Sequence, residues 1–144
     1  MNDQQQFTFA IDPVAALEKI ISQVLADPAL EAHARELLLI LRYHKGPQNP
    51  RAGQELAAQL NICERELKQL ARTLLMDHGV PVGANRHPPY GYYLCVTAED
   101  RQRASRHHIH QGAAEFARAR ALQPERTMLE LLGQAELKKE KESA

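Results

Sequence analysis

The first third of the chain alternates apolar and polar residues with the period of a helix. Asp12-Pro13 joins a capping residue to proline, which is favoured at the first helical position, and apolar residues then recur every three or four positions. We expect a helix near 13–26. Asp27-Pro28 repeats the same start signal, so a second helix is predicted from there to about Tyr43. Its run Leu37–Leu41 is apolar on most sides and is predicted to be the buried hub of the domain.

The middle of the chain has a different pattern, in which two short amphipathic stretches are followed by two short runs rich in β-branched and aromatic residues. A turn cluster, KGPQNP, separates this region from the hub. The predicted elements are helices at about 52–60 and 63–77, followed by strands at 80–82 and 92–96 around a loop at 83–91.

The last third returns to helical spacing. Thr97 and Asp100 are three residues apart, as in a capping box, and predict the start of a long helix that continues to about Leu122. Pro124 breaks this helix, and a final helix is predicted from about Glu125 into the charged tail KKEKESA.

The residues from Gly53 onward resemble the bacterial helix-turn-helix unit. Ala57 is the small residue where the two helices come closest, and Asn61 occupies the turn position, where it tolerates a left-handed backbone. Leu67 and Leu70 supply the later apolar contacts. One departure from the pattern is Cys63, which stands where serine or threonine commonly caps the second helix.

The hairpin residues, HGVPV…GYYL, look like the wing of the DNA-binding domain at the amino end of biotin repressor proteins, and are similar to small winged-helix proteins of phages and prophages. The resemblance covers about residues 31–96 and extends only to the DNA-binding half of the biotin repressor proteins. It implies a mainly α fold, a winged helix-turn-helix with a small β-hairpin wing and extra N- and C-terminal helices. The expected organisation is a flexible N-terminus at 1–11, a winged-helix domain at 12–96 and a C-terminal helical extension at 97–144.

The second motif helix separates into two faces. Leucines and an alanine lie on one side, and polar side chains lie almost opposite, namely Arg65, Lys68, Gln69 and Arg72. Arginine and glutamine suit base edges, and lysine suits phosphates, so these four are candidate DNA-binding residues. The alternative is an ordinary solvated face. Glu64 and Glu66 flank it and would repel phosphates, cap the helix or accept from cytosine amino groups.

The wing loop adds Asn85, Arg86 and His87 to the candidate DNA-binding residues, and Arg51, just before the first motif helix, completes the set. Pro88-Pro89 stiffens the loop, which lowers the entropy lost on docking. An arginine at such a tip suits a minor groove or a phosphate. The alternative is a solvent-exposed loop that carries one basic residue.

Charge is distributed unevenly along the chain, although its formal net charge is zero. Residues 1–41 carry 2 basic and 6 acidic side chains, residues 42–95 carry 7 and 4, and residues 96–144 carry 9 and 8. Only the middle block is clearly basic, which gives a modest electrostatic footprint for a polyanion.

The sequence contains no clear motif for a disulfide, a metal site or catalysis. Cys63 and Cys95 lack metal or redox spacing and indicate packing roles in a reducing compartment. Among His107, His108 and His110 only the first and last share a helix face, so a surface role is favoured over a metal site. We expect no enzyme activity, no cofactor and no metal. No apolar run is long enough to span a bilayer, and MNDQQQFTFA has no basic n-region, so we expect a cytoplasmic protein with no membrane association.

Together these features predict sequence-specific binding of double-stranded DNA, by a small bacterial or phage-type transcriptional regulator or replication accessory protein. The alternative is a winged-helix protein–protein interaction module that does not bind DNA, which the near-zero net charge favours. A homodimer through the C-terminal helices is also predicted, because small residues near Ala113 and the apolar stripe from Met128 to Leu137 suit helix contacts. The alternative is that both helices fold back onto the Leu37–Leu41 hub.

Overall fold

The computed structural model describes residues 12–143, with side chains as far as residue 139; the predicted flexible N-terminus, 1–11, lies outside this range. The elements are α1 (Pro13–Leu25), α2 (Ala32–Leu41), α3 (Gly53–Leu60), α4 (Glu64–Met76), β1 (Val82–Asn85), β2 (Gly91–Leu94), α5 (Ala98–Leu122) and α6 (Met128–Ser143). The chain forms two compact units, and the boundary falls within α5, between Ala104 and Ser105.

The start of α1 confirms the sequence prediction, but the start of α2 does not. Asp12 caps α1 by accepting from the Val14 amide at 3.1 Å. Asp27 uses its carboxylate in the same way, accepting from the Ala29 amide at 2.9 Å, yet the chain makes a turn there and α2 begins only at Ala32. The Arg35 guanidinium donates to the backbone carbonyls of Leu25 and Asp27, which fixes this turn against the end of α1.

The core of the first unit is centred on α2, which contacts α1, α3, α4 and β2. Leu37, Leu38 and Leu41 are fully buried, as the predicted hub requires, whereas Leu39 is 42% exposed on the opposite side of the helix. The other core residues come from α1, α3, α4, β2 and the segment that precedes β1, and include Leu17, Ile21, Leu56, Leu60, Leu67, Leu70, Leu74, Val80 and Leu94.

The turn between α3 and α4 has the geometry that the sequence predicts. Asn61 is left-handed, with φ of 56° and ψ of 47°. Its amide donates to the Ala58 carbonyl at 3.2 Å, and the Ile62 amide donates to the Ala57 carbonyl at 3.0 Å. These two bonds form a Schellman-type end that turns the chain sharply into α4.

Ala57 is buried in the core next to this turn, with 5% of its surface exposed, whereas Ala58 is exposed. Ala57→Leu is expected to overpack the contact between the motif helices and to lower the free energy of unfolding by roughly 1–3 kcal/mol. Urea unfolding followed by circular dichroism measures this. Ala58→Leu adds the same atoms to the exposed side and is the matched control. Equal stability of the two variants would contradict the packing assignment.

The hairpin is antiparallel, and Val82 pairs with Leu94, Gly83 with Tyr93, Ala84 with Tyr92 and Asn85 with Gly91. β1 therefore begins two residues later than predicted and extends into the predicted loop. The segment before α3 adds to the same sheet, because Arg51 and Tyr92 exchange backbone hydrogen bonds of 2.8 and 2.9 Å. This arrangement confirms the predicted fold class: mainly α, with a helix-turn-helix, a β-hairpin wing and further helices before and after.

The predicted capping box opens α5. Thr97 Oγ1 accepts from the Asp100 amide at 3.0 Å, and the Asp100 carboxylate accepts from the Thr97 amide at 3.2 Å. A second box, between Thr127 and Glu130, opens α6 at Met128, a few residues after the predicted start at Glu125.

Both cysteines are free thiols. Burial raises the pKa of Cys95 to about 11, and this residue packs as predicted, but Cys63 is exposed and has no packing role. None of the described helices combines the length and apolar character that crossing a bilayer requires.

Candidate nucleic-acid interface

α4 presents a polar face that is separate from its packed face. Leu67, Leu70, Ala71 and Leu74 are buried against the core, while Leu75, at the edge, is partly exposed. The four candidate residues on the other face are all exposed: Arg65, Lys68, Gln69 and Arg72. Helical geometry places them within an arc of about 100°.

The cations of this face are not neutralised by the protein. Arg42, Lys45, Arg51 and Arg118 form ion pairs with glutamates elsewhere. The side chains of Arg65, Lys68 and Arg72, in contrast, hydrogen-bond to or pair with none of the described residues. Three positive charges are thus presented to solvent on one helix face, where a polyanion meets no competing intramolecular partner.

The two glutamates of the first turn lie at the edges of this face. Glu64 and Glu66 are exposed, and Cys63 makes no side-chain hydrogen bond at the cap. Their negative charges interact favourably with the positive N-terminal end of the helix dipole, which partly offsets the missing cap. The polar face therefore carries its cations in the middle and its acidic groups at the borders.

Tyr92 lies between the wing and the helix-turn-helix. A Cβ placed on Gly53, at the start of α3, would be 3.5 Å from the Tyr92 ring and 3.8 Å from Leu67 Cδ2 of α4, so both side chains lie close to Gly53. Burial raises the pKa of the Tyr92 hydroxyl, the Glu64 carboxylate raises it further, and Arg86 lowers it. The first turn of α4 and Arg86 of the wing thus both lie within electrostatic range of one hydroxyl group.

Asn85 braces the wing. Its amide nitrogen donates to the Pro47 carbonyl at 2.7 Å and to the Pro89 carbonyl at 2.8 Å. Both hydrogens of the amide are committed to these bonds, which tie the end of β1 to the turn before α3 and to the wing loop. The loop residues that follow, Arg86 and His87, are exposed.

Arg51 is held against α3. Its Nε lies 3.3 Å from Glu55 Oε2, and its guanidinium donates to Gln59 Oε1 at 3.4 Å. The Nε is buried and lacks hydrogen-bond geometry to that carboxylate, so the contact is an ion pair without an aligned bond. Of the eight residues predicted from sequence, Arg51, Asn85 and Arg86 therefore interact with other residues of the chain, and Arg65, Lys68, Gln69 and Arg72 lie together on one exposed face.

Sequence reasoning missed the linking role of Tyr92. The available signal was the position of this tyrosine directly after Gly91 at the start of the return strand, since alternation along a strand places it on the face opposite Tyr93. Tyr93 is buried.

Comparison with protein families, curated proteins and solved structures finds no match to this chain. Among the described residues, no three histidine, cysteine or acidic side chains lie close enough together to hold a metal ion. The arrangement that remains is a helix-turn-helix with an unpaired cationic helix face and an adjoining hairpin.

Proposed function

We propose that this chain binds double-stranded DNA in a sequence-specific manner, with α4 in the major groove and the β-hairpin on the adjacent backbone. The observation that carries the proposal is the unneutralised face of Arg65, Lys68, Gln69 and Arg72. The major groove admits one α-helix, and each base pair presents there a distinct pattern of donors and acceptors.

The side chains of this face divide by chemistry. Arginine donates two parallel bonds to guanine, and glutamine pairs with adenine, whereas lysine acts as a point charge that suits phosphate. Arg65 and Arg72 are seven residues apart and so lie two turns apart on the same line of the helix. We assign base reading to Arg65, Gln69 and Arg72, and phosphate contact to Lys68.

The wing supports the same mode of docking. Tyr92 and the Asn85 amide fix the hairpin to the helix-turn-helix, so Arg86 is presented on a braced loop. A preorganised loop loses less entropy when it docks. We assign Arg86 to the sugar–phosphate backbone or the minor groove beside α4.

The biological role that fits this mode is occupancy of a site by a small transcriptional regulator or a replication accessory protein. The rival function is a protein-interaction module that uses the same scaffold without DNA. The zero formal net charge and the glutamates at the border of the polar face favour that rival.

Salt dependence separates the two functions. The full chain is used to select fragments from a genomic library, and the affinity for the recovered sequence is then measured by fluorescence anisotropy over a range of salt concentrations. We expect log K to fall linearly with log salt, with a slope of about −2 per bound copy for the two phosphate contacts assigned to Lys68 and Arg86. An affinity that does not change with salt concentration, or a selection that enriches no sequence, would contradict the proposal.

A further inference from the structure

Tyr92 carries a hydroxyl group that no described residue binds, and this group lies inside the candidate interface. The ring is partly buried and packs against the core of the first unit. The hydroxyl makes no hydrogen bond to any of the described residues. Within that part of the chain, Arg51 Nε alone is a buried side-chain nitrogen or oxygen without a hydrogen-bond partner. The Tyr92 oxygen is therefore open to solvent, and its hydrogen is available to a ligand.

The position of the Tyr92 ring is fixed by the backbone around it. The Tyr92 amide donates to the Arg51 carbonyl at 2.9 Å, and its carbonyl accepts from the Arg51 amide at 2.8 Å. Within the hairpin, Tyr92 lies opposite Ala84. On the other side, the ring lies close to Gly53 at the start of α3, where Leu67 of α4 also lies. The hydroxyl is thus held on a rigid ring between the motif helices and the wing.

A strand of DNA backbone passes this point in the proposed docking mode. With α4 in the major groove and the hairpin on the adjacent backbone, that backbone crosses the surface between the helix and the hairpin. Tyrosine side chains are among the groups that contact phosphate oxygens in protein–DNA complexes. We propose that the Tyr92 hydroxyl donates a hydrogen bond to a DNA phosphate at the junction of α4 and the hairpin. This contact rests on the proposed function, and it adds an uncharged phosphate ligand to Lys68 and Arg86.

The surroundings of the hydroxyl suit a neutral donor. Burial and the Glu64 carboxylate raise the pKa of Tyr92, although Arg86 acts in the opposite direction, so the hydroxyl keeps its proton at neutral pH. Glu64 repels a phosphate at this point and Arg86 attracts it, so the effects of the two charges oppose each other. The contact therefore depends on the hydroxyl group itself.

Tyr92→Phe removes the hydroxyl and keeps the ring. We expect its affinity for the selected duplex and for a scrambled duplex to fall by a similar factor, roughly tenfold, because a phosphate contact carries no sequence information. The slope of log K against log salt should stay at the wild-type value, since a neutral donor releases no counterion. The urea midpoint should also be unchanged, because no described residue loses a hydrogen bond. Fluorescence anisotropy measures the affinities and the slope, and circular dichroism measures the midpoint.

Tyr93→Phe is the matched control. It removes a hydroxyl from the next residue of the same strand, but Tyr93 is only 1% exposed and lies on the opposite face of the hairpin. Its hydroxyl cannot reach a phosphate, so the affinity of this variant for both duplexes is expected to stay at the wild-type value.

A methylphosphonate scan of the selected duplex locates the contact. Each phosphate in turn is replaced by a methylphosphonate, which removes the charge and one acceptor oxygen. The loss of affinity at the phosphate bound by Tyr92 should be several-fold smaller for Tyr92→Phe than for wild type. The losses at phosphates bound by Lys68 and Arg86 should be the same for both proteins, because only groups in contact are non-additive.

Any of four results for Tyr92→Phe would overturn the inference: wild-type affinity for both duplexes, an altered salt slope, a lower urea midpoint, or a methylphosphonate profile with the same relative losses as wild type. An altered slope would mean that the substitution acts through a cationic contact, and a lower midpoint would mean that the hydroxyl stabilises the fold. A wild type that binds no DNA would remove the proposed function together with this contact. A wild type that binds DNA, matched by Tyr92→Phe, would remove the contact alone.

Discussion

Gly91→Ala is expected to lower the free energy of unfolding by about 3 kcal/mol or more. Gly91 has a φ of 139°, which L side chains rarely adopt, and an added Cβ would lie 2.3 Å from the Arg51 carbonyl oxygen and 2.6 Å from its carbon. Those atoms belong to backbone that Tyr92 holds on both sides by hydrogen bonds. The methyl group cannot be accommodated by a side-chain rotation, so the strand pairing itself has to open. Urea unfolding followed by circular dichroism measures the loss.

Gly79→Ala separates the clash from the backbone strain. Gly79 has a φ of 70°, but an added Cβ there meets nothing within 4 Å. This variant carries only the cost of a left-handed residue, about 1–2 kcal/mol. Gly91→Ala should therefore be clearly the less stable of the two. If both substitutions lowered the free energy of unfolding by the same amount, the close approach of Arg51 to Gly91 would be refuted.

The elements that could be predicted from sequence are those that depend on near neighbours. The turn at Asn61 requires one residue that tolerates a left-handed backbone, and the boxes at Thr97–Asp100 and Thr127–Glu130 each join residues three apart. The second box has the same spacing as the first and could have placed the start of α6 correctly. Helix starts are readable because the groups that satisfy them lie within one turn.

Asp27-Pro28 shows where a local signal is ambiguous. An aspartate that accepts from an amide two residues on serves a helix cap and an isolated turn equally well. In this chain the turn prevails, because the Arg35 guanidinium binds the carbonyls of Leu25 and Asp27 from eight to ten residues away. The turn therefore forms because of the Arg35 contact, and that contact lies too far along the chain for the Asp27-Pro28 pattern to predict it.

In the candidate site, too, some features follow from neighbouring residues and others depend on distant contacts. The exposed face of α4 follows from helical periodicity, which the sequence contains. The hydrogen bond between Asn85 and Pro47 spans 38 positions. The ion pair between Arg51 and Glu55 joins residues only four apart, but it forms because of the path by which the chain enters α3. A polar residue in a loop can be nominated for DNA contact from sequence, but its intramolecular partners are set by tertiary structure. The assignments of Arg51 and Asn85 to DNA contact stay predictions.

Arg65→Ala combined with Arg72→Ala is expected to lower the affinity for the selected DNA by about 2 kcal/mol or more, at least roughly 30-fold. Both side chains are exposed on the cationic face and pair with no described residue, so their removal leaves no buried partner behind. Stability should change little, since neither residue is part of the core. Fluorescence anisotropy against the selected sequence and against a scrambled duplex gives both affinity and specificity. We expect the ratio between the two affinities to shrink.

Lys19→Ala combined with Arg120→Ala is the matched control. It removes the same two charges from exposed positions in α1 and α5, outside the helix-turn-helix and the wing. If α4 reads bases, the control keeps its discrimination between the two duplexes and loses only a small, sequence-independent part of its affinity. Equal losses in both double variants would mean that net charge alone attracts DNA. Wild-type affinity after loss of Arg65 and Arg72 would remove α4 from the interface, and would leave protein interaction as the function that this scaffold serves.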